Sequence, residues 1–181
     1  GAAEDFDLDG FDGVWLDPAR RTTSTSGTSR IFDPEAFSPP LSFVESLADR
    51  GMPVGVKLGP GIPHESVPAG CEVQWVSVGG DVIEATLWFN ELRRPGIRRA
   101  ALVIGPNGAA ELTSHEDYVP GAQDVRTGPA EGYLYEPDGA VIRARLIGEV
   151  ARELDAGMLA PGMAYLTGDA AVTSPFVSSF R

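Results

Sequence analysis

What this 181-residue sequence has little of narrows its function first. It carries one cysteine, Cys71, so it can close no internal disulfide and build no cysteine-based zinc cluster. Its two histidines, His64 and His115, stand too far apart in sequence to form a recognisable metal spacing, and no metal is expected. No apolar stretch approaches the roughly 20 residues that span a bilayer, so no membrane partner is expected. The opening Gly1-Ala2-Ala3-Glu4-Asp5 is acidic where a secretion signal is basic and then apolar. With a single thiol a reducing compartment is the simpler expectation, and the chain reads as soluble and cytoplasmic.

Positive charge is also scarce: 14 Lys and Arg stand against 26 Asp and Glu, a formal net charge of −12. Nucleic-acid binding draws most of its affinity from phosphate contacts, so the chain taken whole would repel a polyanion. The local clusters Arg93-Arg94 with Arg98-Arg99, and Arg143 with Arg145, read as solvated edges rather than phosphate tracks. With 43% hydrophobic and 22% charged residues, the composition supports a packed core in one ordinary domain or two small ones.

Apolar runs and their punctuation give the elements. Gly13-Val14-Trp15-Leu16 is a short buried strand, ended by Asp17-Pro18 because proline cannot donate to a ladder. Residues 19–30 are polar and read as a loop, long enough to suit a functional role. Pro39-Pro40 introduces a helix whose inner face is Leu41, Val44, Leu47 and Ala48, with Gly51 as its stop. Val54 to Leu58 is a second short strand, broken by Gly59-Pro60-Gly61. Strand, helix, strand with a short apolar run at each end predicts a parallel βαβ unit. Ligands collect beyond the carboxyl ends of such strands, which puts Asp17-Pro18 and Gly59-Pro60-Gly61 on one rim. Glu72 to Val78 and Val82 to Phe89, joined at Gly79-Gly80-Asp81, predict an antiparallel hairpin; the alternative is a helix starting at Asp81. Arg99 to Ile104 and Ala109 to Leu112 predict a second hairpin around Pro106-Asn107-Gly108, and 114–132 a loop. Asp138 to Leu154 is the most regular helical pattern, with Val141, Ile142, Leu146, Val150 and Leu154 on one face and Gly157 past its end. Tyr133-Leu134-Tyr135 reads as a core strand rather than a base-stacking platform, and Ala164 to Leu166 and Phe176 to Phe180 as further short strands. No internal repeat is present.

The phrase Gly13-Val14-Trp15-Leu16-Asp17-Pro18-Ala19-Arg20-Arg21 resembles the fourth motif of class I methyltransferases, in which an apolar strand runs into Asp/Asn-Pro-Pro. With it stand, in order, Phe32-Asp33-Pro34-Glu35-Ala36-Phe37-Ser38-Pro39-Pro40, Lys57-Leu58-Gly59-Pro60-Gly61 and Tyr133 to Arg143. As an ordered set they resemble a bacterial family of S-adenosylmethionine-dependent methyltransferases with a C-terminal THUMP-like domain, over nearly the whole chain. The resemblance implies an α/β fold: a partial Rossmann-like methyltransferase sheet with an antiparallel C-terminal hairpin over 1–91, then a small α+β THUMP-like domain over 92–181. It implies S-adenosylmethionine as cofactor, yet no glycine-rich loop of the kind that cradles it follows a first strand, so the cofactor-binding residues are unknown. The expectation is a fragment, beginning just before the fourth strand and ending early at Phe180-Arg181, inactive on its own and prone to self-association through an unpaired sheet edge.

The resemblance makes Asp17 and Pro18 the catalytic candidates, with Asp17 orienting an acceptor or taking its proton. From spacing alone, Asp17 capping a turn is the more ordinary role. Arg20 and Arg21 are candidates to clamp a substrate phosphate or carboxylate, and Lys57 to face the same rim. Two exposed loop arginines and a lysine with its stem laid along the surface are the ordinary alternatives. Covalent addition to a pyrimidine is excluded, because Leu58-Gly59-Pro60-Gly61-Ile62-Pro63, directly after the second strand, holds no cysteine, and Cys71, about ten residues later, reads as a small buried hydrophobe. RNA is the first substrate expected, since THUMP domains are associated with it. The charge speaks for a small-molecule acceptor, and a non-catalytic binding module is the third reading.

Overall fold

The computed structural model describes residues 2–19, 21–24, 27–30, 33–119 and 125–181, with backbone alone for 21–24 and 27–30. Two compact units emerge: Gly1–Val73 with Glu84–Gly96, and Gln74–Ile83 with Ile97–Arg181.

In the first unit β1 (Val14–Leu16) starts where the Val14 N–H bonds Pro53 O at 2.9 Å and stops before Pro18. The polar stretch after it is not wholly the loop that its composition predicts. Arg21–Ser24 (β2) and Gly27–Arg30 (β3) pair antiparallel, from Arg21↔Arg30 to Ser24↔Gly27. Threonine-rich segments suit a ladder even without an apolar alternation. The chain then returns to its starting point: Ala19 N–H donates to Ser38 O at 2.8 Å, and Ser38 N–H to Ala19 O at 3.2 Å.

Helix α1 (Leu41–Asp49) opens at Pro40, which has no capping side chain. Glu35 supplies one from outside, its Oε1 accepting from Ser42 N at 3.0 Å. Leu41, Val44 and Leu47 are buried, as their spacing requires, and Ala48 half-buried. Gly51, at φ 83°, ends the helix: its N–H reaches Ala48 O and that of Met52 reaches Leu47 O, the paired bonds of a Schellman stop. Next, β4 (Val54–Leu58) lies parallel to β1, with Val14↔Val54, Trp15↔Gly55 and Leu16↔Val56. β5 (Glu72–Val78) and β6 (Asp81–Phe89) form the long hairpin, and β4 pairs antiparallel with β6 from Val54↔Phe89 to Leu58↔Ala85. The strand order in this unit is β1-β4-β6, a mixed sheet with α1 packed against β4. Its core is Val44, Leu47, Val54, Val56, Leu58, Leu87 and Phe89, each contributing about 1.5–3 kcal/mol by burial.

The turn of the long hairpin belongs to the second unit. Gly79 and Gly80 both take positive φ (61° and 93°), the pattern that matches the twist of two-residue hairpins, so Asp81 starts a strand and not a helix. β7 (Arg99–Gly105) and β8 (Gly108–Ser114) form the second hairpin, in register from Arg99↔Ser114 to Gly105↔Gly108. β9 (Tyr133–Pro137) leads into the helical segment, and its Tyr135 is fully buried.

The long helix expected from Asp138 to Leu154 is in fact two. Helix α2 (Gly139–Arg143) ends in a Schellman stop with Arg145 at φ 56°, Arg145 N–H bonding Ile142 O and Leu146 N–H bonding Val141 O. Helix α3 (Ile147–Glu153) ends the same way through Asp155 at φ 49°, so Asp155, and not Gly157, is the terminator. Gly157 instead falls in β10 (Gly157–Met158), where a Cβ would stand 3.1 Å from Arg126 O. β11 (Leu166–Gly168) and β12 (Val177–Phe180) complete an antiparallel sheet of order β10-β11-β9-β12.

One basic cluster also departs from its sequence-based expectation. Arg143 and Arg145 are exposed, but Arg99 is buried and Arg94 grips a buried carboxylate, so the 93–99 stretch is no solvated edge.

Candidate functional site

The parallel register of β1 and β4 brings their carboxyl ends together. Asp17 leaves β1 one residue past Leu16, Lys57 is the penultimate residue of β4, and Lys57 Nζ lies 2.6 Å from Asp17 Oδ2. Two sequence candidates from separate strands therefore meet in one ion pair. Both side chains are partly exposed, 34% for Lys57 and 52% for Asp17, so the pair adds at most about 1 kcal/mol of stability. Its consequence is orientation. A carboxylate has room for about four hydrogen bonds and an ammonium donates three, so the pair keeps capacity toward a ligand on the rim. Pro18 is buried beside it, and the Ala19–Ser38 bridge fixes the backbone just beyond.

Arg20 lies outside the described residues. Arg21 opens β2, with its side chain outside them too, so neither arginine is brought to the rim or kept from it. The Asp17–Lys57 pairing itself was within reach of the sequence: two parallel strands in register put residues just past Leu16 and Val56 side by side.

A second feature, absent from the sequence reading, lies one pleat back along the same strands. Trp15, Gly55 and Trp88 are register partners across β1, β4 and β6. The two indoles lean together at 5.5 Å with planes at 44°. They need the glycine: a Cβ on Gly55 would stand 2.7 Å from Trp15 Cε3 and 3.0 Å from Trp88 Cζ3.

Cofactor cradles of the glycine-rich kind need a strand that turns into a helix with open space above the glycines. After β4, Gly61 has open space above it, but the chain enters a single 3₁₀ turn, His64–Ser66, and no α-helix. Between β9 and α2, Gly139 would place a Cβ 2.5 Å from Val82 Cγ2, so its missing side chain is filled by the protein itself. Among the described residues, neither place fits a nucleoside cofactor.

A groove of about 470 Å³ opens on the outer side of α1, lined by Ser42, Glu45, Asp49, Pro68 and Asn90 among others. Phe89 and Asn90 put it at the amino end of β4, opposite the rim, because Phe89 pairs with Val54. Asn90, at φ 53°, is occupied with structure: its Nδ2 donates to Ala48 O at 2.8 Å and Met52 O at 2.7 Å, closing the end of α1. Cys71 is buried, its thiol donating to Pro68 O at 3.1 Å, in keeping with an inert side chain. Among the described residues no acidic, histidine or cysteine group is arranged to hold a metal ion.

The chain is similar to S-adenosylmethionine-dependent methyltransferases. It is 35% identical over 161 residues to uncharacterized proteins of that description from Mycobacterium tuberculosis strains CDC 1551 and H37Rv. The match takes in 86% of this chain and 41% of each relative, so the chain spans about two fifths of their length. The crystal structure of a protein from Porphyromonas gingivalis W83, assigned as a methyltransferase, superposes with a TM-score of 0.62 at 22% identity, over 91% of this chain and 41% of that one. At that identity the likeness is one of fold: a mixed α/β arrangement shared with the methyltransferase. No protein-family model matches. Among the described residues, no helix is long and apolar enough to cross a membrane.

Proposed function

We propose that this chain is the acceptor-side portion of a bacterial class I S-adenosylmethionine-dependent methyltransferase, followed by a THUMP-like domain from about residue 92 on. The observation that carries the reading is the Asp17–Lys57 pair at the carboxyl ends of two parallel strands, in a chain with curated methyltransferase relatives. Methyl transfer is an in-line displacement in which positioning supplies much of the rate. Asp17 orients the acceptor atom or takes the proton it sheds, and Lys57 keeps that carboxylate aimed along the rim. The chain alone is proposed to be inactive, because its sequence carries no glycine-rich loop of the cofactor-cradling kind after a first strand. The test is transfer of a labelled methyl group by the complete gene product. Asp17→Ala should lower the rate about 100-fold or more with the circular dichroism spectrum unchanged; an unchanged rate contradicts the role.

RNA is the acceptor that the THUMP-like resemblance supports. A small-molecule acceptor is supported by a specific observation: Arg94, Arg98, Arg126 and Arg152 are each paired with an acid of this chain, and Arg99 is buried against carbonyls. Filter binding of bulk RNA to the complete gene product separates the two. Retention that falls steeply with salt speaks for RNA, and no retention speaks for the small molecule.

A further inference from the structure

At the rim the Asp17–Lys57 pair sets one hydrogen-bond acceptor beside one donor. Lys57 Nζ stands 2.6 Å from Asp17 Oδ2, and both side chains reach solvent. The nitrogen and oxygen of an amide held cis in a ring lie about 2.3 Å apart by standard bond lengths, so such an edge spans the pair with two parallel hydrogen bonds. Its N–H donates to the carboxylate, and its C=O accepts from the ammonium. Lys57 is also the chain's only lysine, its other fixed cations being arginines. The residue type matters here. An arginine fork closes on both oxygens of a carboxylate, whereas an ammonium is a compact donor that leaves lone pairs of Asp17 for a ligand. Charge selects as well. A cationic amine meets the ammonium beside the acceptor it needs, and an anion meets the carboxylate beside the donor it needs.

We propose that Asp17 and Lys57 together read a neutral N–H/C=O edge, which makes the ligand class of this rim a lactam or imide: a ring N–H adjacent to a carbonyl, free or within a nucleobase. The inference deepens the acceptor-side reading, and rests on it for calling that ligand the methyl acceptor and its ring nitrogen the atom presented. Asp17 holds the N–H and Lys57 the neighbouring oxygen, so two bonds fix the ring where one would let it swivel. An analogue with the donor alone or the acceptor alone loses one bond and leaves one charge of the pair unanswered.

Saturation-transfer NMR on the complete gene product, with no cofactor added, tests it with three rings of similar size. δ-Valerolactam should bind about tenfold or more tighter than N-methyl-δ-valerolactam, which lacks the N–H, and than piperidinium, which lacks the C=O. Lys57→Met should reverse the second preference, because Asp17 then stands alone and takes the cation. Asp17→Ala should erase the first, because nothing is left to accept from the N–H. Equal binding of the three rings by the unaltered protein overturns the proposal, and so does no binding of δ-valerolactam. An unchanged order in a Lys57→Met protein with an unchanged circular dichroism spectrum overturns it too. Uridine and a uridine oligonucleotide carry the same edge: tighter, salt-sensitive binding of the oligonucleotide assigns the edge to RNA, and equal binding to a free ring. No turnover is read, so lactam binding without methyl transfer would sink the methyltransferase reading and leave the edge recognition standing.

Discussion

In the first unit a buried carboxylate, Glu72, meets a guanidinium that keeps one side in water; in the second a buried guanidinium, Arg99, has carbonyls and a hydroxyl within hydrogen-bond reach. Glu72 accepts from Arg94 Nε and from Arg94 N, both at 2.9 Å, and also from Nη2. Arg99 donates from Nη1 to Ala144 O at 2.9 Å and Arg145 O at 2.8 Å, from Nε to Glu116 O at 2.8 Å, and from Nη2 to Ser114 Oγ at 3.3 Å. Burial pulls the Arg99 pKa below its ordinary value, and the charges of Glu149, Glu116 and Asp117 offset part of that. The difference teaches what each ion is for. The Glu72 pair ties the 90–94 turn to the first residue of β5. Arg99 holds the carbonyl ends of α2, and so fixes the break between the two short helices.

That contrast can be broken from either side. The largest loss is expected for Arg99→Met, which strips partners from three backbone carbonyls. It should cost about 4 kcal/mol and release the α2–α3 junction, seen as faster amide exchange at Ala144–Leu146. Arg94→Ala leaves Glu72 buried without its cation and should cost about 3 kcal/mol by denaturant titration, with exchange accelerated at residues 90–94 instead. If both variants loosened the same residues, the two ions would not act locally as described. Asn90→Ala removes two bonds to the end of α1 and a side chain suited to positive φ, for about 1–2 kcal/mol.

The smallest effect concerns Tyr135, whose hydroxyl bonds Ala170 O at 2.5 Å. Burial raises its pKa above the ordinary 10.0, and the nearby charges of Glu131 and Asp169 push the same way. The folded state thus prefers the neutral phenol. The stabilisation is complete below pH 10 and lost as pH rises through the raised value. Tyr135→Phe should cost about 1 kcal/mol at neutral pH and flatten the alkaline limb of the stability curve.

The two units also differ in how much of them could be read beforehand. β1, α1 and β4 were legible because apolar runs are punctuated by Pro18, Pro39-Pro40, Gly51 and Gly59, residues that act locally. The α2–α3 break was not, because Val141, Leu146 and Val150 keep helical spacing straight through it, and the nearest glycine, Gly148, falls inside α3 and not at the left-handed turn of Arg145. What decides it is Arg99, 45 residues away from the carbonyl of Ala144. The same holds for Asp155, a residue without glycine's freedom that nevertheless takes the left-handed turn. At the rim, Asp17 and Lys57 were each visible as candidates. That they would meet needed the register of two strands, and the Trp15–Gly55–Trp88 contact needed a third.

The central claim, that the rim belongs to a methyltransferase completed by residues outside this chain, is tested most directly by titrating S-adenosylhomocysteine calorimetrically into this chain and into the complete gene product. The account predicts binding to the complete product and none to the 181-residue chain. Binding to neither would contradict it and leave the rim as part of a non-catalytic module.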